Sequence, residues 1–183
     1  QGKLSQLEAI IDGAIVAPSH IGLGHTRWAT HGAPTTENAH PHCDCSGNLV
    51  VVHNGIIENF APLRERLIQE GCTFGSDTDT EVIAHLINQG RSKGLDAKAA
   101  FDMAIDQLEG AFAIAAIMTD VPDALFVARQ GSPLVIGVGI GEYFIASDVS
   151  ALLPVTQNMI FLEEGDIADI RRDGLQIYNA KGN

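Results

Sequence analysis

The chain has 183 residues, 45% of them hydrophobic, so it is long enough for one well-buried core and too short for two typical domains. Its 23 acidic and 11 basic residues give a formal net charge of −12, which argues against a nucleic-acid surface and an anionic membrane surface. Only three cysteines, no apolar run near the roughly 20 residues of a membrane span and no signal-peptide pattern predict a cytoplasmic protein.

Helical and strand patterns alternate in the first part of the chain. Apolar residues recur at helical spacing, which predicts helices at 3–12, 58–70, 79–89 and about 96–108. Asp77 or Thr78 is available to cap the third helix, because short polar side chains accept hydrogen bonds from its first free N–H groups. Clusters of apolar and β-branched residues predict strands at 21–28 and 49–53.

Short apolar or alternating runs follow Gly110, and glycine, proline and aspartate separate them. They predict strands at 111–118, 124–129, 134–138, 142–147, 158–162, 166–170 and 174–178. Consecutive short strands joined by turn residues favour antiparallel pairing. This order of elements predicts an α+β layered fold, with residues 1–183 as one domain.

Asn54 and Gly55 follow the apolar strand and allow two interpretations. Asn-Gly is the preferred two-residue turn of a β-hairpin, which is a purely structural role. Residues 56–59 lead into a predicted helix instead of a return strand, and this favours a different role. The Asn54 amide and the Gly55 backbone N–H would then form an oxyanion hole, which stabilises the negative oxygen of a tetrahedral acyl intermediate.

Residues 24–32 concentrate an arginine, a tryptophan and two histidines between glycines. A lone arginine such as Arg27 usually forms a surface salt bridge, but on a glycine-bounded loop it is also suited to bind a carboxylate with two hydrogen bonds. Trp28 either packs in the core or covers a bound ligand. The residues alone support both alternatives at each position.

Residues 76–81 contain two aspartates and a glutamate near the predicted start of a helix. Acidic residues there interact favourably with the helix dipole, which accounts for one of the aspartates. A carboxylate at Asp79 is also suited to bind an ammonium group. Together with Arg27 as the ligand for a carboxylate, it would bind both charged ends of an amino acid.

Residues 40–45, His-Pro-His-Cys-Asp-Cys, contain two imidazoles and two thiols, which are ligands for transition metals. Their spacing differs from the two-residue gap of structural zinc sites, and no second ligand pair follows, so a turn is the expected role. A metal-binding domain is therefore the weakest functional alternative. We expect neither a metal nor an organic cofactor.

Several ordered motifs resemble those of class II glutamine amidotransferase domains. The motifs are residues 24–32, 38–42, 52–59 and 76–81, followed by 129–137, 144–148 and 161–166. The Trp-Ala-Thr-His-Gly and Asn-Ala-His-Pro-His versions of the first two are similar to those of the members that aminate a sugar phosphate. The resemblance therefore spans nearly the whole chain.

The resemblance implies an N-terminal-nucleophile hydrolase fold, which is a four-layer αββα sandwich with two antiparallel sheets. It also implies hydrolysis of the glutamine side-chain amide through a thioester. The ammonia would pass to a sugar-phosphate isomerase domain of the same parent chain, which converts fructose 6-phosphate to glucosamine 6-phosphate. The expected partners are L-glutamine or L-glutamate and that isomerase domain, in a homo-oligomeric parent enzyme, with no nucleic acid and no membrane.

The resemblance also implies roles for individual residues by their position in the motifs. Arg27 would bind the α-carboxylate of glutamine, and Asp79 would bind its α-ammonium group. Asn54 and Gly55 would form the oxyanion hole. The glutamine pocket would be lined by Trp28, Thr30 and His31.

The nucleophile of the family is a cysteine at the mature N-terminus, in a Cys-Gly-Ile motif that these 183 residues do not contain. Cys43 and Cys45 cannot replace it, because neither has a free α-amine. We therefore expect the first strands of the sandwich and the isomerase domain to be absent, and the glutaminase activity of the isolated chain to be negligible. The remaining alternative is a non-catalytic module that binds glutamine or glutamate.

Overall fold

The structure, a computed structural model, describes residues 4–13, 19–28 and 30–179. The helices are α1 (Leu4–Gly13), α2 (Phe60–Gln69), α3 (Glu81–Ser92) and α4 (Ala97–Ile105). The strands are β1 (His42–Cys43), β2 (Leu49–Ile57), β3 (Gly110–Met118), β4 (Ala124–Gln130), β5 (Val135–Val138), β6 (Tyr143–Ala146), β7 (Met159–Phe161), β8 (Ile167–Arg171) and β9 (Gly174–Tyr178). None of the helices in these ranges has the length and apolar character needed to cross a bilayer.

Two antiparallel sheets hold all the strands of the described residues. The large sheet has six strands in the order β1-β2-β3-β4-β8-β9, and the small sheet has three in the order β6-β5-β7. Every strand predicted after Gly110 is present as β3 to β9, with ends that differ by at most one residue from the prediction. The antiparallel pairing is confirmed throughout, but the sequence did not indicate that these strands divide between two sheets.

The two faces of the large sheet pack against different layers, because successive side chains of a strand point to opposite sides. One face, which includes Val51 and Ile114, packs against helices α2, α3 and α4. The other face, which includes Val52 and Ala115, packs against the small sheet. The described residues thus form a helical layer and two sheet layers, in agreement with the α+β sandwich.

The strand predicted at 21–28 is wrong, since this segment has no strand structure. Ile21 and Leu23 do alternate with more exposed neighbours, and both pack against the core between the sheets. Alternating burial alone does not make a strand, however, because a strand also needs a hydrogen-bonded neighbour. Within the described ranges, no other strand pairs with this segment.

Strand β2 is longer than predicted and contains Asn54 and Gly55, so the hairpin-turn interpretation is wrong. The ladder with β3 continues through both residues, with Asn54 opposite Ala113 and Gly55 opposite Phe112. Gly55 has a φ of +123°, and a Cβ atom there would lie only 2.0 Å from the carbonyl oxygen of Ala111. Glycine is needed at this position because no other residue fits that close approach.

Helix α3 begins two residues later than predicted, at Glu81, and neither Asp77 nor Thr78 is its N-cap. Thr80 is the N-cap residue, and its side chain makes no capping hydrogen bond. The hydroxyl of Thr80 instead contacts two histidines, and the neighbouring Asp79 carboxylate accepts a hydrogen bond from strand β2. The residues that would cap a simple helix thus connect it to the polar cluster described next.

Candidate active site

Polar residues from distant parts of the sequence meet where strand β2 passes the start of helix α3. Strand β2 contributes His53 and Asn54, and the turn before α3 contributes Asp79 and Thr80. The loop that contains His25 lies over this junction. The motifs at 24–32, 38–42, 52–59 and 76–81 therefore contribute to one polar region.

Asn54 lines a cavity of about 350 Å³ between the two sheets. Its side-chain oxygen lies 2.7 Å from Nε2 of His25, which lines the same cavity. Gly55 follows in the same strand and is exposed. Because Asn54 and Gly55 belong to a paired strand and not to a loop, the backbone of this pair is held by the β2–β3 ladder.

Asp79 is a buried carboxylate, and one of its oxygens faces the loop that contains His31. The residue is 3% exposed, and its Oδ2 accepts a hydrogen bond of 2.9 Å from the Ile57 backbone N–H. The other oxygen, Oδ1, lies 3.8 Å from Nδ1 of His31. A carboxylate has about four acceptor positions, so Asp79 keeps capacity to accept hydrogen bonds from a cation.

The Arg27 guanidinium donates to the backbone carbonyl oxygens of its own loop. Its acceptors are His31, Gly32 at 3.1 Å and Ala33 at 3.1 Å. Arg27 forms no ion pair with a carboxylate among the described residues, so the surface salt-bridge interpretation is wrong. Arg27 instead donates hydrogen bonds that close the loop of residues 27–33, which contains His31.

Trp28 is 89% exposed, so the core-packing alternative for this residue is wrong. Thr30 is also exposed, whereas His31 is half-buried with its ring 4.9 Å from that of Phe60 in an edge-on contact. The structure therefore brings His31 next to Asp79, and it leaves Trp28 and Thr30 on the outer side of the loop. This exposed tryptophan is available to a ligand or to another part of the protein.

A network of histidines and hydroxyls connects these groups, and the sequence-based predictions did not include it. The Thr80 hydroxyl oxygen lies 3.0 Å from Nε2 of His40 and 3.0 Å from Nδ1 of His53. The rings of His25 and His40 stack with their centroids 4.1 Å apart. Histidines in three of the resemblance motifs were the available signal, but their contacts span 27 and 40 residues of sequence.

Two of these histidines are neutral at ordinary pH. Burial, together with the nearby His25, His42 and His53 rings, lowers the pKa of His40 to about 3. Burial also lowers the pKa of His53 to about 4, although the Asp79 carboxylate partly opposes this shift. A neutral imidazole has one donor and one acceptor nitrogen, so both rings are suited to share the Thr80 hydroxyl.

The turn before α3 is held by the carboxylate of Glu81. This group accepts hydrogen bonds of 2.7 Å from the backbone N–H groups of Gly75 and Ser76, and one of 2.6 Å from the Ser76 hydroxyl. Burial alone raises the pKa of Glu81, but hydrogen bonds from His85, Ser76 and Gly75 outweigh it and lower the pKa to about 2. The ionised Glu81 therefore fixes the backbone that leads to Asp79.

The side chains of residues 40–45 do not converge on one point. His42 is buried and its Nε2 lies 3.1 Å from the Thr78 hydroxyl, whereas the adjacent Cys43 is exposed on the other face of β1. Cys45 is also exposed. Among the described residues, no group of three or more histidine, cysteine or acidic side chains is arranged to hold a metal ion. The geometry gives no support to a metal-binding domain.

The fold agrees with comparisons to known proteins. Residues 25–154 match the family of glutamine amidotransferase domains, and the chain belongs to that family. Among curated relatives, the glutamine–fructose-6-phosphate aminotransferase (isomerizing) of Idiomarina loihiensis is 54% identical over 182 residues, which cover 100% of this chain and 30% of the relative. The enzyme of the same name from Escherichia coli K12 is 53% identical, covering 98% of this chain and 30% of the relative.

Solved structures lead to the same family. Glutamine phosphoribosylpyrophosphate amidotransferase from B. subtilis is 30% identical with a TM-score of 0.71, covering 87% of this chain and 34% of its own. A structure described as the allosteric regulatory enzyme of purine biosynthesis is also 30% identical, with a TM-score of 0.74 and coverage of 87% and 35%. The resemblance to class II amidotransferases is thereby confirmed, together with their sandwich fold. The chain spans 30% of the length of the curated relatives named above.

Proposed function

We propose that this domain hydrolyses the side-chain amide of L-glutamine and supplies ammonia to a sugar-phosphate isomerase domain of the same protein. The complete protein would convert fructose 6-phosphate to glucosamine 6-phosphate. The observation that carries the proposal is the meeting of Asn54, Asp79 and the Arg27 loop at one junction. These groups are the complements of an oxyanion, an ammonium group and a carboxylate.

The charged ends of glutamine would bind on the loop side of the junction. Asp79 would accept hydrogen bonds from the α-ammonium group with the acceptor positions that Ile57 leaves unused. Arg27 would supply positive charge for the α-carboxylate, while its contacts to His31 and Ala33 hold the loop closed. Trp28 and Thr30 would complete the pocket from the exposed side of that loop, with His31 beside Asp79.

The chemistry would take place at Asn54 and Gly55. A thiolate attacks the side-chain carbonyl carbon of glutamine, and the electron pair of the C=O bond moves onto oxygen. The Asn54 amide and the Gly55 N–H donate hydrogen bonds to that negative oxygen. The electron pair on oxygen then re-forms the C=O bond as the C–N bond breaks, and the proton taken from the thiol goes to the leaving nitrogen. Ammonia departs and leaves a thioester, which water hydrolyses to glutamate and the free thiol.

In this proposal the thiol comes from an N-terminal cysteine outside the 183 residues, whose own α-amine is the base. The cysteines of the chain support this assignment by their positions. Cys43 and Cys45 are exposed, and burial raises the pKa of the Cys72 thiol, which makes it a poorer nucleophile. We therefore propose that the chain by itself does not hydrolyse glutamine.

Product analysis of the full-length protein tests the proposal. With L-glutamine and fructose 6-phosphate, we expect stoichiometric glutamate and glucosamine 6-phosphate. Release of glutamate without glucosamine 6-phosphate would support the glutaminase site and contradict the assigned acceptor. If L-glutamine gives no glutamate under any of these conditions, the proposed function is wrong.

A further inference from the structure

The side-chain amide of Asn54 has one acceptor end and one donor end, and His25 contacts the acceptor end. Nε2 of His25 lies 2.7 Å from Oδ1 of Asn54. We infer that His25 is a positioning residue, which fixes the Asn54 amide so that its N–H groups remain available to the substrate oxygen. This inference rests on the proposed glutaminase function, because it concerns the donor of the same oxyanion hole.

The contact assigns a tautomer to His25. A neutral imidazole has one protonated and one bare nitrogen, so Nε2 must carry the proton to donate to the Asn54 oxygen. The other nitrogen, Nδ1, is buried and has no hydrogen-bond partner among the described residues. A proton on Nδ1 would leave the bare Nε2 facing the Asn54 oxygen, two acceptors against each other, and would also bury an unpaired donor, so the Nε2-protonated form is favoured.

A protonated Nε2 in turn selects one rotamer of the Asn54 amide. Rotation of the amide by half a turn would place its NH₂ group against the N–H of His25, and two donors would then face each other. The rotated amide would also present its oxygen, in place of a donor, to a developing negative charge. A side chain that prevents this rotation therefore preserves the stabilisation of the transition state.

The ring of His25 is itself held in place by a closed chain of contacts. It stacks on His40 with an interplanar angle of 24°, and His40 contacts the Thr80 hydroxyl at 3.0 Å. The same hydroxyl contacts His53 at 3.0 Å, and His53 directly precedes Asn54 in strand β2. One connected set of residues thus holds Asn54 at two points, which are the backbone next to His53 and the side-chain oxygen.

The inference predicts a specific kinetic effect in the full-length protein. His25→Phe keeps an aromatic ring for the stack on His40 and removes the donor, so kcat for glutamine hydrolysis should fall by about 10- to 100-fold, a part of the loss expected when an oxyanion donor is deleted. KM for glutamine should change by less than about threefold, because the oxyanion exists only in the transition state. The exposed His20 provides the control, and His20→Phe should leave kcat unchanged.

Two further variants separate positioning from a general structural role. His25→Gln places an amide N–H near the position of Nε2, so it should restore kcat to within about fivefold of the wild type. In an Asn54→Ala background, His25→Phe should lower kcat by less than about twofold, because the group it orients is already gone. If the enzyme is active, an unchanged kcat in His25→Phe would overturn the inference. So would an equal loss of kcat when His25→Phe is made in the wild type and in Asn54→Ala.

The tautomer of His25 gives a test that does not depend on turnover. We expect the ¹⁵N spectrum of the full-length protein to show His25 with its proton on Nε2, with the signal assigned by its loss in His25→Phe. A ring whose Nε2 carries no proton would overturn the inference even if the enzyme is active. An inactive wild type that nonetheless shows the Nε2-protonated ring would contradict the proposed function and still support the orientation of Asn54.

Discussion

Asp79 combines deep burial with an ionisable side chain, and the local structure explains how. One of its oxygens accepts the Ile57 backbone N–H at 2.9 Å, which partly replaces the water that burial removes. The second oxygen lies 3.8 Å from Nδ1 of His31. Burial of a carboxylate without a full set of hydrogen-bond partners costs free energy. This supports the proposal that a substrate cation completes the contacts of Asp79.

Asp79→Asn should raise KM for L-glutamine by about 10- to 100-fold in the full-length protein. The amide oxygen of asparagine still accepts the Ile57 hydrogen bond, so the fold is retained, whereas the charge that attracts the ammonium group is lost. A charge-assisted hydrogen bond contributes about 1.5–3 kcal/mol, which sets this range. Steady-state glutaminase kinetics measure the effect.

Asp77→Asn is the matched control, because Asp77 lies in the same turn and is exposed. Its KM for glutamine should stay within about threefold of the wild type. Equal KM increases in both variants would show that the charge of the whole turn matters, and not Asp79 as a ligand.

Gly55→Ala should lower the free energy of unfolding by about 4 kcal/mol or more. A Cβ atom at this position meets the Ala111 carbonyl oxygen at 2.0 Å, and the φ of +123° is unfavourable for alanine. Urea denaturation of the protein measures the change. Gly47→Ala separates the two causes, because Gly47 has a φ of +70° with no atom within 4 Å, and its cost should be about 1–2 kcal/mol. Similar losses at both positions would contradict the close-approach explanation.

At the scale of elements, two neutral histidines and an ionised glutamate stabilise the junction of strand β2, helix α3 and the loop before β1. His40 and His53 have pKa values of about 3 and about 4 in the folded protein, below the usual 6.5. Between these values and 6.5, the unfolded chain binds protons that the folded protein does not. The junction therefore loses stability as pH falls below about 6.5.

The free energy of unfolding should be insensitive to these histidines above pH 6.5 and should fall on acidification. Each ring contributes a slope of at most about 1.4 kcal/mol per pH unit between 6.5 and its folded pKa. Glu81 adds a further loss as pH drops from 4.5 towards its pKa of about 2, because its ionised form is the one that the fold stabilises. Urea titrations at pH 7.5, 5.5 and 4.5 measure the trend, and His40→Gln should make it shallower. A more stable protein at pH 5.5 than at 7.5 would contradict the neutral state of the two buried histidines.

Local patterns in the sequence predicted some elements of this fold well and others poorly. The strands after Gly110 were predicted almost to the residue, because each is a short apolar or alternating run and turn residues separate them. Burial on both faces adds a continuous apolar run in β3 and β4. The segment 21–28 has similar alternation but no strand structure, since pairing depends on residues far away in sequence. The predicted strand stopped before Asn54 and Gly55, because Asn-Gly is a turn-forming sequence. In the structure, the pairing of these residues with Ala113 and Phe112 overrides that preference.

The same limit applies to the candidate site. The resemblance selected Asn54 and Asp79 from motifs, and both lie at the junction of β2 and α3. It did not select His25, His40 or Thr80 for their mutual contacts, which join residues up to 40 positions apart. Hydrogen bonds of this kind have no periodic signature in sequence, so they become evident only when the elements are assembled.

At the scale of the whole molecule, a helical layer and two sheet layers place the polar junction beside the cavity between the sheets. The exposed Trp28 lies outside that core. The three cysteines of the chain lie outside the cavity as well, since none of them lines it. This arrangement supports the proposal that the nucleophile enters from a part of the protein beyond the 183 residues.

Replacement of the three cysteines tests that proposal in the full-length protein. Cys43→Ser, Cys45→Ser and Cys72→Ser together should leave kcat for glutamine hydrolysis within about threefold, because none of these thiols would take part in the reaction. Alkylation by a thiol reagent should still inactivate the triple variant, through the remaining N-terminal cysteine. Loss of activity in a folded triple variant would contradict the placement of the nucleophile.

The most direct measurement of the proposed glutaminase site is kcat/KM for L-glutamine in Asn54→Ala of the full-length protein. Loss of one oxyanion donor should lower kcat by about 10²- to 10³-fold with little change in KM. The exposed, remote Asn158 is the matched control, and Asn158→Ala should retain wild-type kinetics. A kcat for Asn54→Ala within about threefold of the wild type would contradict the proposed site.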